Sequence, residues 1–435
     1  MSGASLALKL AVTGALRRFD VGLAEPVRIG FLAPLSGPVQ SWGLPGLMGC
    51  RLWVDWINRA GGLLIEGRRR PVELGEHDCG YDPAQAREGA RRLVQDHGVK
   101  FLLMLGGDSF QAVSDYLNER KILTATMLPS DLSPDTPYLI APSEIHPLYT
   151  VTAVDWLAQT RPDLKRVALC SQTDALGLPS LATYRAAFRA AGMPVVKEIR
   201  YAPEGVNAAE MVAAMLAEEP DVLCWCTSYQ PMVHALTEAA HQAGFRGQML
   251  SCTADNYPAL VARTSVGFME GFLFQFPDFD DAALHDHAFF FNRPAAFYDE
   301  YNRRFPGSWS AVSWEYAAAL DLWHAAVEQA GTVAPVSVLA AMKREGRVEM
   351  IFGDATWSGG DLFGIDNAVV GNWPVVRIEG AKARIVDFRS IPDWLARHGD
   401  ILREEMEALG QMWHQRQGGR STRLEGRTRA PAPRE

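Results

Sequence analysis

Apolar positions along this chain fall into short runs separated by longer stretches of helical period, and the alternation continues nearly from end to end. The run VRIGFLA (27–33) reads as a strand buried on both faces. It leads into GLMGCRLWVDWINRAGG, where Leu47, Leu52, Val54, Trp56 and Ile57 recur at helical spacing. PVELGEH (71–77), a helix over 83–96, KFLLMLG (100–106), a helix from Asp108 or Ser109, and KILTATM (121–127) follow in turn. This βαβα rhythm predicts a parallel sheet with helices on both faces.

After residue 145 the pattern starts again. RVALCS (166–171), a helix over 179–191, PVVKEIR (194–200), a helix over 207–217, DVLCWCT (221–227), a helix over 229–242 and QMLSC (248–252) make a second α/β unit. A third block, 284–345, is mostly helical, with AAFYDEYNRRF and WEYAAALDLWHAAVEQA as amphipathic stretches. Beyond IFGDATWSGGDL the strands AVVGNWPVVRIEG and ARIVDF return, which implies that the chain re-enters a lobe it had left. DILREEMEALGQMWHQRQ reads as a helix, and GGRSTRLEGRTRAPAPRE as a disordered, solvated basic tail.

Composition narrows the classes. The 435 residues, 48% of them hydrophobic, are enough for two or three domains at about 150 residues each. A formal charge of -9, from 42 basic and 51 acidic residues, argues against a general nucleic-acid binder. No apolar run reaches the roughly 18 residues of a membrane span. ASLALKLAVTGAL (4–16) is apolar enough for a signal core, yet Lys9 interrupts it and Arg17 and Arg18 follow it instead of preceding it. GLA before Glu25 is a passable cleavage site, with no Cys after it for a lipid anchor. Export with cleavage and a non-exported chain both stay open. Cys50, Cys79, Cys170, Cys224, Cys226 and Cys252 show no metal spacing and read as buried thiols, Cys224 and Cys226 sharing one face of a strand.

The chain carries no G-x-S-x-G, H-E-x-x-H or Walker motif. GGDSF (106–110) offers Ser109 as a nucleophile, but DWLARH (393–398) has the wrong spacing for its partners, so Asp108 or Ser109 reads as a helix cap. DFDDAALHDHAFF (278–290) holds His285 and His287 with rings pointing apart, and reads as an exposed face. FLAPLSGPVQSWGLPGLMG opens a helix like a phosphate loop, yet Gly43, Gly46 and Gly49 fit neither phosphate pattern. The loops at strand C-terminal ends are the ones an open α/β sheet uses for ligands. They are PLSGPVQSWG, LGGDSF, MLPSDLS, SQTDALGLP, TSYQP and CTADNYP, rich in Gly, Ser and Thr, with an aromatic in several. Backbone N–H groups and hydroxyls there hold a carboxylate, and aromatics supply apolar walls. This is a small-molecule pocket without a reaction centre.

Together IGFLAPLSGPVQSWG, GCRLWVDWINRAGGLLIEGRRRPVEL, DPAQAREGARRLVQDHGVKFLLM, SDYLNERKIL, TSYQPMVHALTEAAHQAG and GDATWSGGDL carry a resemblance over about residues 27–385. The chain resembles the type I periplasmic solute-binding proteins of ABC transporters, in the leucine/isoleucine/valine-binding branch. That resemblance implies two doubly wound parallel-sheet lobes joined by three crossover strands, with the ligand cleft between them. Lobe 1 would be 27–146 plus 277–352 and lobe 2 147–276 plus 353–390, with an N-terminal segment 1–26 and a C-terminal helix and tail 391–435.

The resemblance also assigns residues. Trp42 would lie against the ligand, in a loop whose glycines serve tight turning. The ligand carboxylate would be gripped at Gly107, Asp108 or Ser109, then at Leu128 and Ser130. Tyr229 matches a family aromatic, and Leu176 stands where another tyrosine falls. The acid for a ligand ammonium falls in SCTADNYP, on Thr253 or Ala254 with Asp255 just after, and Phe352 is a further candidate from the lobe crossover. Cys79 lies near one bridging cysteine of some relatives but Gly106 replaces the other, so that disulfide is not expected. The implied function is non-enzymatic, without cofactor or metal: a periplasmic receptor delivering an amino acid, amide or aromatic acid to ABC permease subunits. The alternative is a cytoplasmic ligand sensor on the same fold.

Overall fold

The computed structural model describes residues 25–143, 145–202, 205–287 and 294–416. The signal-like run 4–16, the end of the histidine-bearing segment and the basic tail lie outside the described residues. The first sheet is built from β1 (Val27–Ala33), β4 (Val72–Asp78), β5 (Phe101–Met104), β6 (Leu123–Thr126) and β7 (Leu139–Ile140). Between β1 and β4 lies a small antiparallel hairpin, β2 (Leu63–Ile65) and β3 (Arg68–Arg70). The sheet order is β4-β1-β5-β6-β7, all parallel. The central strands are continuous apolar runs, β5 buried at every position, because helices cover the sheet.

Two distant helices, Leu44–Arg59 and Val312–Ala330, pack against each other in this lobe. Here the glycines of the opening loop find their use. A Cβ on Gly49 would sit 1.8 Å from the carbonyl oxygen of Ser313, and one on Gly46 would sit 2.2 Å from the Tyr316 ring. A Cβ on Gly43 would meet the Pro34 oxygen at 1.9 Å. None of the three has a positive φ. They serve close approach of backbone to backbone and ring, which corrects the expectation of tight turning.

The second sheet holds β8 (Val167–Gln172), β9 (Val195–Tyr201), β10 (Val222–Trp225), β11 (Gln248–Ser251) and β12 (Leu273–Phe274), then β13 (Arg347–Met350), β14 (Gly353–Ser358), β15 (Ala368–Glu379) and β16 (Lys382–Ser390). Its order is β13-β14-β15-β12-β11-β10-β8-β9, with β16 on β15. The strands up to β12 are parallel and those after it antiparallel. The β13–β14 hairpin spans RVEMIFGDATWS (347–358), a stretch to which the apolar pattern assigns no strand.

The segments 141–149, 275–281 and 351–373 are tied together where the two sheets meet. Ala141 N donates to Asn367 O at 2.9 Å, Val369 N to Ala141 O at 2.9 Å, and Trp373 Nε1 to Gln275 O at 3.1 Å. Tyr149 stacks on Trp373 at 5.3 Å, and Phe352 meets Trp373 edge-on at 4.9 Å. The late helix begins nine residues before DILREEMEALGQMWHQRQ and ends within it. It runs Ile391–Ala408, opened by Ser390, whose hydroxyl accepts from Asp393 N, and it packs on Gly177–Ala190 of the second lobe.

The acidic cluster at 278–281 is not an exposed face. Asp278 accepts from the Tyr257 hydroxyl at 2.7 Å, Asp280 pairs with Arg384 at 2.7 Å, and Asp281 accepts from Ile385 N at 2.9 Å. Burial and partners on β16 explain why three carboxylates are tolerated there. All six cysteines are buried, free thiols. No single described helix is long and apolar enough to cross a membrane.

Candidate ligand-binding cleft

Loops at the C-terminal ends of strands from both sheets face each other across a small cavity of about 30 Å³. The first lobe contributes Trp42, from the loop after β1, Leu105 after β5, and Met127 and Leu128 after β6. Ala311, Val312 and Glu315, at the start of the helix Val312–Ala330, complete that side. From the crossovers and the second lobe come His146, Tyr149 and Phe276, then Leu176, Thr227, Cys252, Thr253 and Asp255. Every one of these residues is buried. Entry of a solute therefore requires the lobes to part.

One hydrogen bond closes the cavity across the lobes. Trp42 Nε1 donates to Asp255 Oδ2 at 2.6 Å. Loss of water pushes the Asp255 carboxyl up to about 7, although the indole N–H pulls the other way. The backbone of Trp42 is anchored as well, its carbonyl accepting from the Tyr316 hydroxyl at 3.0 Å. Beside it, Tyr229 meets Trp42 edge-on at 5.7 Å.

The second-lobe wall is a connected polar chain. His146 Nδ1 lies 2.8 Å from the Tyr149 hydroxyl and its Nε2 lies 2.8 Å from Thr227 Oγ1. Burial lowers the His146 pKa to about 4, so the ring is neutral at physiological pH. Thr253 Oγ1 accepts from Ser228 N at 3.2 Å. The Cys252 thiol, 3.4 Å from Ser180 Oγ, is pushed up to about 12 by burial and is inert near neutrality.

Of the residues singled out in the sequence, Trp42, Leu128, Leu176, Thr253 and Asp255 line the cavity. Tyr229 stands behind Trp42, its hydroxyl donating to Asp174 Oδ2 at 2.9 Å. The others lie outside the lining. Gly107 turns at φ +63, with its N–H given to Asp131 Oδ2 at 2.9 Å. Asp108 is exposed and begins the helix Asp108–Gln111. Ser109 is fully buried and donates to Gly106 O at 2.7 Å. Gly107 itself occupies the cap position, which corrects the capping role expected of Asp108 or Ser109. Ser130 is buried in the short turn Pro129–Asp131, and Phe352 belongs to the crossover aromatic cluster.

Pattern reading missed His146, Tyr149, Thr227, Phe276 and Glu315. Thr227 stood in the quoted TSYQP loop, and His146 and Tyr149 sit together where the α/β pattern restarts, a junction that deserved a place among the loops. Glu315 had a signal too: a carboxylate that the structure buries fully, early in an apolar helix.

Comparison with known proteins agrees with this geometry. The family described as periplasmic binding protein matches residues 26–383. The Leu/Ile/Val-binding protein BraC3 of Rhizobium johnstonii is 28% identical over 224 residues, 49% of this chain and 58% of that protein. The chain thus spans a little over half the length of that relative. The Leu/Ile/Val-binding protein of Citrobacter freundii is 24% identical over 374 residues, 82% of this chain and 93% of that protein. Among solved structures, a solute-binding protein of an ABC transporter from Rhodopseudomonas palustris HaA2, in complex with p-hydroxybenzoic acid, superposes with a TM-score of 0.71 at 18% identity. It covers 85% of this chain and 99% of that one. An ABC-transporter substrate-binding protein from Aeropyrum pernix gives a TM-score of 0.72 at 16% identity, over 88% and 100% of the two chains. At such identities these structures establish the shared two-lobed fold.

Proposed function

The chain belongs to the periplasmic binding protein family, and on that premise we propose that it is the solute-binding subunit of an ABC transporter, carrying a small organic solute to permease subunits. The observation that carries this reading is the bond from Trp42 to Asp255, which joins the two lobes over a buried cavity. Two lobes that meet around a void, tied together by three crossings, form a hinged trap. Opening admits the solute and closure buries it, and the closed shape is what a permease distinguishes from the open one.

Trp42, Leu128 and Leu176 supply apolar contacts, and Asp255 supplies the polar anchor. Exclusion of water on closure strengthens that anchor. Amino acids, amides and aromatic acids, the solutes the fold suggests, share an apolar body with one polar head. A thermal-shift panel of such compounds at about 1 mM tests the reading. A solute with a Kd of about 1 μM adds roughly 4 kcal/mol to stability at that concentration. A melting temperature that no compound of the panel raises would count against the proposal.

Delivery to a permease places the protein in the periplasm. The second reading, a cytoplasmic ligand sensor, draws on the helix Ile391–Ala408, which lies beyond the family match at 26–383. Sequencing the N-terminus of the mature protein separates the two, since cleavage after Ala24 excludes the sensor.

A further inference from the structure

The polar groups of the cavity show which head group fits, a point that rests on the solute-binding reading above. Among the described residues no lysine or arginine lines the cavity. Its one histidine is held between Tyr149 and Thr227. Several N–H donors around it are already engaged within the protein: Trp42 Nε1 on Asp255, Leu128 N on Thr126 Oγ1, Leu176 N on Asp174 Oδ1 and Met127 N on Leu105 O. At the glycine turn beside the cleft, where a Cβ on Gly107 would be 3.4 Å from Leu176 of the opposite lobe, the backbone N–H of Gly107 binds the protein's own carboxylate, Asp131. Thr126 Oγ1 donates to the same Asp131 oxygen at 3.1 Å. An internal carboxylate thus takes the donors that a ligand carboxylate would need.

The acceptor side is open. Asp255 receives the indole N–H on Oδ2, and among the described residues its Oδ1 accepts no hydrogen bond. The hydroxyl of Thr253 accepts from Ser228 N and keeps its own proton to give. With the Tyr149 and Thr227 hydroxyls held on His146, and Glu315 a second carboxylate in the lining, the Thr253 hydroxyl does not compensate the desolvation of an anionic head, whereas Asp255 matches any head that donates from nitrogen. Opposite it, Leu105, Met127, Leu128 and Val312 make an apolar bed.

We propose that this cleft selects a small apolar solute whose head is a nitrogen donor, an ammonium or a primary amide, and that it discriminates against solutes bearing a carboxylate. Asp255 is the specificity residue. The ammonium and the amide share the N–H chemistry and differ in their need for charge at Asp255.

Isothermal titration of the full chain at pH 8 with five probes tests this: isoamylamine against L-leucine, and benzylamine and benzamide against benzoate. The expected result is binding of an amine or the amide at least 100-fold tighter than its carboxylate counterpart. Asp255→Asn then tells the two heads apart, since amine affinity falls at least 100-fold while amide affinity stays within about threefold. Leucine or benzoate binding as tightly as its partner overturns this inference and leaves the solute-binding reading standing. Failure of all five probes to bind overturns both.

Discussion

Raising the pH of the unliganded protein is the most direct probe of the closed cleft. In the closed form the Asp255 carboxyl is held near 7, against an ordinary 3.8, because burial has removed its water. With the lobes apart, water returns to the group and the ordinary value is restored. Between these two values the open form is ionised while the closed form keeps a proton, so closure takes up a proton. Acid therefore favours closure. The advantage is fully present below about pH 4, is lost at about 1.4 kcal/mol per pH unit as the pH rises, and is gone above about 7. Across the window the change amounts to roughly 4 kcal/mol, enough to move a hinge equilibrium from mostly closed to mostly open. Small-angle scattering at pH 4.5 and pH 8 reads the change as a larger radius of gyration at the higher pH. Asp255→Asn is the control, because asparagine keeps an acceptor oxygen for Trp42 and titrates nothing. His146 and Cys252 stay neutral through the window, with pKa values near 4 and 12. Asp131, near 7, has its hydrogen-bonding partners Gly107 and Thr126 within one lobe, so opening the cleft leaves them in place. A radius that responds equally in both proteins, or in neither, would refute the account.

Other consequences follow from single contacts. Gly49→Ala forces a methyl into the Ser313 carbonyl and should cost about 3 kcal/mol or more, read as a lower urea midpoint with an unchanged slope. Trp42→Phe keeps the ring and removes the bond to Asp255; with a bond to a charged group contributing about 1.5–3 kcal/mol, solute affinity should fall roughly 10- to 100-fold, mostly through faster release in stopped-flow measurements. Gly107→Ala strains a position at φ +63 and drives a Cβ to 2.3 Å from the Tyr81 hydroxyl, so a loss of about 1–2 kcal/mol in thermal stability is expected even without solute. Cys252 lines the cavity at 1% exposure, so a thiol reagent should reach it only in the open form, and a bound solute should slow its labelling relative to the unliganded protein.

The fold was legible because buried parallel strands leave a strong trace. VRIGFLA, KFLLMLG and DVLCWCT each hold more apolar residues in a row than an exposed strand tolerates, and each became a central strand. β13 and β14 left no such trace. Their pattern mixes exposed and buried positions, and the hairpin is fixed by pairing with β15 rather than by its own composition. The acidic stretch at 278–281 misled for a related reason: its partners Tyr257, Arg384 and Ile385 are remote in sequence, and local charge density alone mimics a solvated face. Within the cleft, Trp42, Leu128, Leu176 and Asp255 came from loops at strand ends, where any α/β sheet places its ligands. Phe276 reaches the same cavity from a crossover, where no local pattern announces it.

Two aspartates of similar acidity show how the cleft separates structure from selection. Asp131 and Asp255 are both pushed up to about 7 by burial. Asp131 is satisfied inside one lobe, by the backbone of Gly107 and the hydroxyl of Thr126, so those bonds persist whether the cleft is open or shut. Asp255 is satisfied by Trp42 of the opposite lobe, so its bond exists only in the closed form. A group whose environment changes on closure couples protonation and solute to the hinge, and a group whose bonds persist supports the wall on which the solute rests. Removing the charge at Asp131 should therefore shift stability alike with and without solute. Removing it at Asp255 should leave the wall intact and change which solutes hold the lobes together.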